Sequence, residues 1–237
     1  MSSSKLQYLK QCTSTQDHLK NVIESINLPF AFYTDHQTNG YGQHDSNWKC
    51  PKGSGLAFSM ALEVEPPYKE DLVNLNKAVT AAITECIASI SGPIEIKWPN
   101  DLIVRDKKLG GIIMNLVSDN SILLIGFGLN LKKIKNTQSA ISLEEIKIEA
   151  GVHAIAQSLY HALTQVQTFP VDKLKHIYDR LLWSLNKEVS INWAESHSNQ
   201  SESAIFRGVD EHGRAVIEID GELKSYQHGQ VRLKYPR

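Results

Sequence analysis

The sequence predicts an α+β protein in two parts, a larger module mixing strands with helices and a small all-β module after it. Three observations lead there. Apolar stripes of helical period are interspersed with short strand-like runs, without strict βα alternation. After Lys187 the texture changes to short alternating strands separated by turn signals. The length, 237 residues, suits one large domain or a medium domain with an appendage. We therefore divide the chain into residues 1–187 and 188–237.

Along the chain, Ser14 caps an amphipathic helix carrying Leu19, Val22, Ile23 and Ile26. Leu28 to Thr34 has the length and aromatic content of a strand. The stretch from Asp35 to Gly55 is polar and aperiodic, and reads as a functional loop. Leu56 to Val64 is a strand ended by Pro66-Pro67. From Tyr68 to Ile90, Leu72, Leu75, Val79, Ile83, Ile87 and Ile90 form one buried helical stripe, stopped at Gly92-Pro93. Strand-like runs follow at Ile94–Trp98, Leu109–Leu116 and Ser121–Leu131. Helices are expected over Ile148 to Val166 and Asp172 to Leu185. In the second module, turns fall at Asp210 to Gly213 and at Asp220-Gly221.

Composition excludes several classes. At 41% hydrophobic and 22% charged, this is an ordinary globular chain that can bury a core without metals or disulfides. A formal charge of −1 gives no global attraction to DNA or to an acidic membrane. Cys12, Cys50 and Cys86 lie far apart and read as reduced thiols. Residues 1–6 lack the apolar core of a signal peptide, and no run reaches membrane-spanning length. The expected location is cytoplasmic. A P-loop is missing, Gly40-Tyr41-Gly42 lacks the third glycine of a dinucleotide fingerprint, and HExxH does not occur. His212 and His228 fall in turns and read as surface histidines.

What remains carries chemistry. Lys97-Trp98-Pro99-Asn100-Asp101 closes a strand, and Lys108 follows seven residues beyond Asp101, just ahead of Gly110-Gly111. A hairpin here would bring Asp101 and Lys108 together, and an ammonium beside paired glycines suits a phosphate. A plain β-turn with solvated charges accounts for the same residues. Gly126-Phe127-Gly128-Leu129-Asn130 would let a ligand lie against the sheet, or is simply a bend before a loop. Gly40-Tyr41-Gly42-Gln43 offers backbone donors for an anion, or is a mobile loop.

Taken together these segments resemble the biotin–protein ligases. KWPNDLIVRDKKLGGIIMNL, Lys97 to Leu116, is similar to that family's KWPND…K-GI core. Ser14-Thr15-Gln16 resembles S-T-N/Q, and Gln37 to Gln43 resembles Q-x-x-G-R-G-R/Q. Trp48 with Gly53 to Met60, Gly126 to Leu131, and Ala140 to Leu143 fit further family segments in order. The likeness covers residues 8–185. Phe206 to Asp210, Gly213 and Gly229-Gln230-Val231 are similar to the family's small C-terminal cap.

The resemblance implies a fold like the class II aminoacyl-tRNA synthetases and biotin ligases, with a catalytic domain over 1–187 and an SH3-like β-barrel over 188–237. It implies a biotin–[acetyl-CoA-carboxylase] ligase that makes biotinyl-5′-AMP from biotin and ATP with Mg²⁺. The biotin would then pass to a lysine of a biotin carboxyl carrier domain. Ser14, Thr15, Gln16 and Gln37 would meet the ureido ring, and Gly40, Tyr41, Gly42 and Gln43 the valerate and phosphate end. Gly110 and Gly111 would line the floor, with Trp98, Leu109 and Ile112 building an apolar channel. Lys108, Asp101 and Asn100 would flank the reacting phosphate, and Asn130 the adenine or ribose.

Tyr41 stands where the family usually has arginine, Asn115 where an acid is common, and Asn39 and Asp45 where small residues are usual. The lost guanidinium implies looser adenylate retention, offset in part by Lys108, Lys52, Lys107 or His44. A lipoate- or octanoate-type acyltransferase and a catalytically weakened biotin-binding homologue are the competing readings. The thirteen residues before Ser14 leave no room for a winged-helix DNA-binding module, so no DNA partner is expected. A homodimer through exposed sheet edges is compatible with the sequence.

Overall fold

The computed structural model describes residues 5–43, 47–66, 68–117, 121–134, 137–194 and 201–234. The first module runs β1 (Leu6–Tyr8), α1 (Thr15–Val22), β2 (Phe30–Thr34), β3 (Gln37–Tyr41), β4 (Asn47–Cys50), β5 (Gly55–Glu63) and α2 (Leu72–Ser91). It continues with β6 (Glu95–Lys97), β7 (Asp101–Val104), β8 (Lys107–Val117), β9 (Ile122–Asn130), α3 (Val152–Thr164) and α4 (Val171–Arg180). A mixed seven-stranded sheet has the order β1-β2-β5-β9-β8-β7-β6. Among the described strands of this sheet, only β1 and β2 pair in parallel. The α+β expectation holds. No described helix is long and apolar enough to cross a membrane.

Alternation along the central strands builds two unlike faces. Leu56, Phe58 and Met60 of β5 and Leu123, Ile125, Phe127 and Leu129 of β9 join the main core with Val79, Ile83, Ile87, Ile155 and Leu159 from α2 and α3. On the other face α1 covers one end, packing Leu19 against Phe30, Phe32, Ala61 and Leu124. Beyond α1 that face carries Ala57, Ser59, Gly126, Gly128 and Gly111. These small residues leave it open as the floor of a cavity.

The local ends follow their sequence signals. The Ser14 hydroxyl accepts from the Asp17 N–H, and Asp71 caps α2 through the Asn74 N–H, so α2 starts four residues later than the stripe suggested. Gly92, at φ +84°, ends α2. The stretch expected as a loop after Asp35 instead contains the β3–β4 hairpin, whose register shifts between Gln37 and Gly40. Asn, Gln and Gly are poor strand formers, and that irregular pairing erased the two-residue period. α4 is shorter than expected, ending at Arg180.

The second module is an antiparallel sheet of β10 (Lys187–Trp193), β11 (Glu202–Val209), β12 (Ala215–Ile219), β13 (Glu222–Tyr226) and β14 (Val231–Lys234), ordered β13-β12-β11-β10-β14. Closure between β13 and β14, as the barrel expectation requires, is not among the strand pairings of the described residues. Both expected turns are present. The module shares a core with the first: Val189, Ile191, Phe206, Ile217, Val231 and Leu233 pack with Ile96, Trp98, Ile103, Tyr178 and Trp183. Trp98 Nε1 donates to the Gly213 carbonyl at 3.0 Å, and Lys77 Nζ to the Asp210 carbonyl at 3.2 Å.

Asp210 holds this junction turn. Its carboxylate accepts from the N–H of His212 (2.9 Å), the N–H of Arg214 (2.9 Å) and Arg214 Nε (2.8 Å). Burial opposes its ionisation, but these donors and Ser225 outweigh it and pull the pKa down to about 2. A depressed carboxyl pKa stabilises fully above the unfolded value of about 4 and loses that contribution as pH falls through the folded value. We expect Asp210→Asn to cost about 1–2 kcal/mol at neutral pH. In urea titrations the gap should shrink as pH falls from about 4 toward the folded pKa of about 2.

Candidate active site

A cavity of about 840 Å³ opens over the bare stripe of the sheet, within the usual range for small-molecule sites. Its walls come from the α1 N-terminus, the β3–β4 hairpin, the β6–β7 turn, the start of β8, and β14 of the second module. It gathers Ser14, Thr15, Gln16, Gln37, Tyr41, Gly42, Gln43, Trp98, Asn100, Asp101, Lys108 and Gly111, segments far apart in sequence.

The charged centre is built by two hairpins. β6 and β7 pair through Lys97↔Asp101, and β7 and β8 through Asp101↔Gly111. Arg105 and Asp106, both at positive φ, make the tight turn between β7 and β8, and Asp106 accepts from Trp183 Nε1 at 2.8 Å. Lys108 and Gly111 are three residues apart, so a regular strand would send them to opposite faces. The register shifts between Leu102 and Ile103, and this bulge puts both on the cavity side. Lys108 Nζ then lies 2.6 Å from Asp101 Oδ1, each side chain about one-third exposed. A Cβ at position 111 would sit 3.0 Å from Lys108 Nζ, so glycine leaves the room this pair occupies. The decisive ammonium faces the cavity beside Asp101, and Ser14 and Gln37 line the same void.

The backbone of Lys108 is clamped. Its N–H donates to the Ser139 carbonyl and its own carbonyl accepts from the Ile141 N–H, both at 2.9 Å. Asn130 Nδ2 donates to the carbonyls of Lys108 (3.2 Å) and Ile141 (3.1 Å). Asn100 is buried, donates to the Ile112 carbonyl, and accepts from the Ile112 N–H at 3.1 Å. Lys97 lines the same void. Burial drives its pKa down to about 8, with Lys108 and Lys234 adding to the fall and Asp101 opposing it.

The other end is uncharged and polar. Gln37 Oε1 accepts from the Thr15 N–H (2.8 Å) and hydroxyl (3.2 Å), and the Thr15 and Ser59 hydroxyls are 2.8 Å apart. The Gln16 amide and Trp48 Nε1 are buried without a hydrogen-bond partner among the described residues. A buried polar group left unpaired costs about 1–3 kcal/mol. A ligand with its own carbonyl and N–H groups would relieve that cost. Trp48 lies over Gly128, where a Cβ would come within 2.1 Å of the indole.

Several expected residues sit elsewhere. Leu109 is fully buried in the main core and does not line the channel; Trp98 does, and Ile112 borders it while belonging to that same core. Gly40, Gly110 and Asn130 are not among the lining residues: Gly40 lies behind the Gln37 side chain, Gly110 against the Gly128 carbonyl, and Asn130 behind Lys108. Of the proposed compensating cations, Lys52 and Lys107 are exposed and do not line the cavity, and His44, like Asp45, lies outside the described residues. His228, read as a surface residue, is exposed but at the cavity mouth, edge-on to Trp98 with ring centres 5.6 Å apart. Sequence reasoning missed Ser59, Ile113, Arg232 and Lys234 as lining residues. The first two were legible in the alternation of β5 and β8; the last two depend on how the modules dock.

The model of the Biotin/lipoate A/B protein ligase family matches residues 8–131, more than half the chain. The chain belongs to that family. It is 25% identical over 236 residues to the bifunctional ligase/repressor BirA of Escherichia coli (strain K12), covering 93% of this chain and 71% of that protein. It is 24% identical over 205 residues to the biotin–[acetyl-CoA-carboxylase] ligase of Mycobacterium tuberculosis (strain ATCC 25618 / H37Rv), covering 83% and 76%. The biotin protein ligase from Aquifex aeolicus in complex with biotin and ATP superposes with a TM-score of 0.76 at 24% identity, over 98% of this chain and 100% of that one. The last likeness fixes the fold.

The indole-on-glycine contact gives a direct test of the cavity. Gly128→Ala should destabilise the chain by about 1–3 kcal/mol through overpacking. Trp48→Ala in the same chain should recover most of that loss in a double-mutant cycle by urea unfolding. Additive effects would show that the indole does not rest on the glycine.

Proposed function

We propose that this chain is an ATP-dependent biotin–protein ligase that forms biotinyl-5′-AMP and then transfers biotin to a lysine of a biotin carboxyl carrier domain. The observation that carries the reading is one void holding an ammonium–carboxylate pair at one end and an unpaired amide and indole N–H at the other. Within the family, the biotin ligases among the relatives favour biotin over lipoate as the ligand. The ureido ring, with one carbonyl and two N–H groups, matches the Gln16 amide and Trp48 Nε1, beside Ser14, Thr15 and Gln37. Residues 1–187 form the catalytic domain of this reading and 188–237 the C-terminal domain.

In the first step a biotin carboxylate oxygen attacks the α-phosphorus of ATP. The new O–P bond forms as the bond to pyrophosphate breaks. Lys108 shifts from Asp101 onto the approaching carboxylate and α-phosphate, relieving the repulsion between two anions. ATP brings Mg²⁺, whose chemistry is to shield the leaving pyrophosphate; Asp101, the one carboxylate among the described lining residues, could hold it. In the second step the carrier amine attacks the acyl carbon and AMP leaves. Asp101, freed from Lys108, orients that amine and takes its proton. Asn100 holds the turn that aims Asp101, and Asn130 holds the strand that aims Lys108.

Incubation with ATP, biotin and a carrier domain should add one biotinyl increment to the carrier mass; lipoyl and no biotinyl transfer would overturn the assignment. Lys108→Ala should lower biotin-dependent ATP–pyrophosphate exchange by about 10²-fold or more. An exchange rate within a few-fold of the native chain would remove Lys108 from the chemistry.

Tyr41 bears on how long the intermediate stays. Its hydroxyl donates to Asp17 Oδ1 at 2.9 Å and accepts from Lys20 Nζ at 3.2 Å, which ties the glycine loop to α1 without placing a cation at that position. A charge-assisted bond to phosphate is worth about 1.5–3 kcal/mol. Tyr41→Arg should therefore slow biotinyl-adenylate release about tenfold or more in a single-turnover chase. An unchanged release rate would show that position 41 does not govern retention.

A further inference from the structure

A buried lysine of α2 stands behind the cavity without lining it. Lys77 is enclosed at the junction of the two modules, and it makes no ion pair with a described residue. Its Nζ donates to the Asp210 carbonyl at 3.2 Å and lies 5.8 Å from the centre of the Tyr178 ring. Burial pushes its pKa below the ordinary lysine range, with Lys175 adding to the fall and Asp179, Asp210 and Asp71 opposing it. Folding therefore weakens this lysine's hold on a proton, so its charged form costs stability at neutral pH.

The two groups this ammonium meets clamp consecutive residues of the β6–β7 turn. Asp210 opens the turn whose Gly213 carbonyl accepts from Trp98 Nε1 at 3.0 Å, and the Tyr178 hydroxyl donates to the Pro99 carbonyl at 3.1 Å. Trp98 and Pro99 lead directly into Asn100 and Asp101. The Asp210 carbonyl also accepts from the Gly213 N–H at 3.1 Å, so that turn closes without the lysine. What the ammonium adds is a link between the two clamps. A buried charge kept at a cost to stability, beside a turn that is satisfied without it, points to the geometry it fixes. Resting on the ligase reading above, we infer that Lys77 is a positioning residue for biotin transfer: its ammonium locks the Asp210–Gly213 turn to Tyr178, and that lock aims Asp101 at the carrier amine. Lys108 is held separately, by Asn130 and the 139–141 backbone, so adenylate formation depends on the lock far less.

The test separates the two half-reactions in full-length Lys77→Met, which keeps the length of the side chain and removes its charge. Single-turnover transfer from preformed biotinyl-adenylate to a carrier domain should slow about tenfold or more at saturating carrier, with half-saturation unchanged within about twofold. Biotin-dependent ATP–pyrophosphate exchange should stay within about threefold, and the urea midpoint should hold or rise. Tyr178→Phe removes the second clamp's hydroxyl and should slow transfer too; the double variant should be no slower than the slower single one. Lys173→Met, at an exposed lysine over Phe169 that does not line the cavity, should change nothing. Equal losses in the two half-reactions, a lower urea midpoint, additive losses in the double variant, or an unchanged transfer rate overturns the proposal and leaves the ligase reading standing. A native chain with neither biotin-dependent exchange nor transfer overturns both.

Discussion

The contact between Lys108 and Asp101 at 2.6 Å governs the rest of the site, because so much of the local structure exists to make it possible. As a source of stability it is minor: both side chains are about one-third exposed, and solvent screens such a pair to within about 1 kcal/mol. Its value is positional. The bulge in β8 turns Lys108 toward the cavity, glycine at 111 leaves the volume in which the ion pair sits, and Asn130 with the 139–141 backbone fixes the strand from behind. The pair is also exchangeable. A bound anion can replace the carboxylate at the ammonium, and the freed carboxylate is then available to an incoming amine. On the proposed mechanism, one contact thus prepares two roles.

That exchange matters more because Asp101 sits between two lysines. Burial costs Lys97 much of its affinity for a proton, and Lys108 and Lys234 add to that cost, bringing its pKa to about 8. Near neutral pH it remains mostly charged, so the void is electropositive; above pH 8 one charge is lost. The charged and the uncharged ends are separated along the same floor. Alternation in β5, β8 and β9 leaves Ala57, Ser59, Gly111, Gly126 and Gly128 facing up, while Phe58, Ile112 and Phe127 anchor the sheet below. A flat sheet face becomes a binding floor by subtraction of side chains.

Periodicity made the long elements legible: the α2 stripe, the β5 and β9 runs, and the cap at Ser14 are each local patterns that burial reinforces. The Asp101–Lys108 hairpin was also readable, because its two ends are only seven residues apart. The bulge was not, since a single extra residue leaves no compositional mark. The β3–β4 hairpin escaped because its pairing slips at Gln37–Gly40 and its residues are poor strand formers. Asn130 was placed beside the nucleotide because it ends a glycine-rich strand, yet its amide is spent on two backbone carbonyls. His228, Arg232 and Lys234 depend on the second module docking against segments more than a hundred residues away in sequence, such as Trp98 against Gly213, which no local pattern encodes.

That docking ties the site to the whole fold. A module of roughly fifty residues buries too little apolar surface to be robust by itself, and here Phe206, Ile217, Val231 and Leu233 complete their core with Trp98, Tyr178 and Trp183 of the larger module. Trp98 serves on both sides. Its indole N–H bonds the Gly213 carbonyl, its ring meets His228, and it belongs to the turn that aims Asn100 and Asp101. The Tyr178 hydroxyl holds the same turn by donating to the Pro99 carbonyl at 3.1 Å. Loosening the junction would therefore disturb the aim of Asp101 as well as remove the β14 wall. In this chain the small module is structurally part of the cavity, and its stability cannot be separated from the geometry of the turn that carries Asn100 and Asp101.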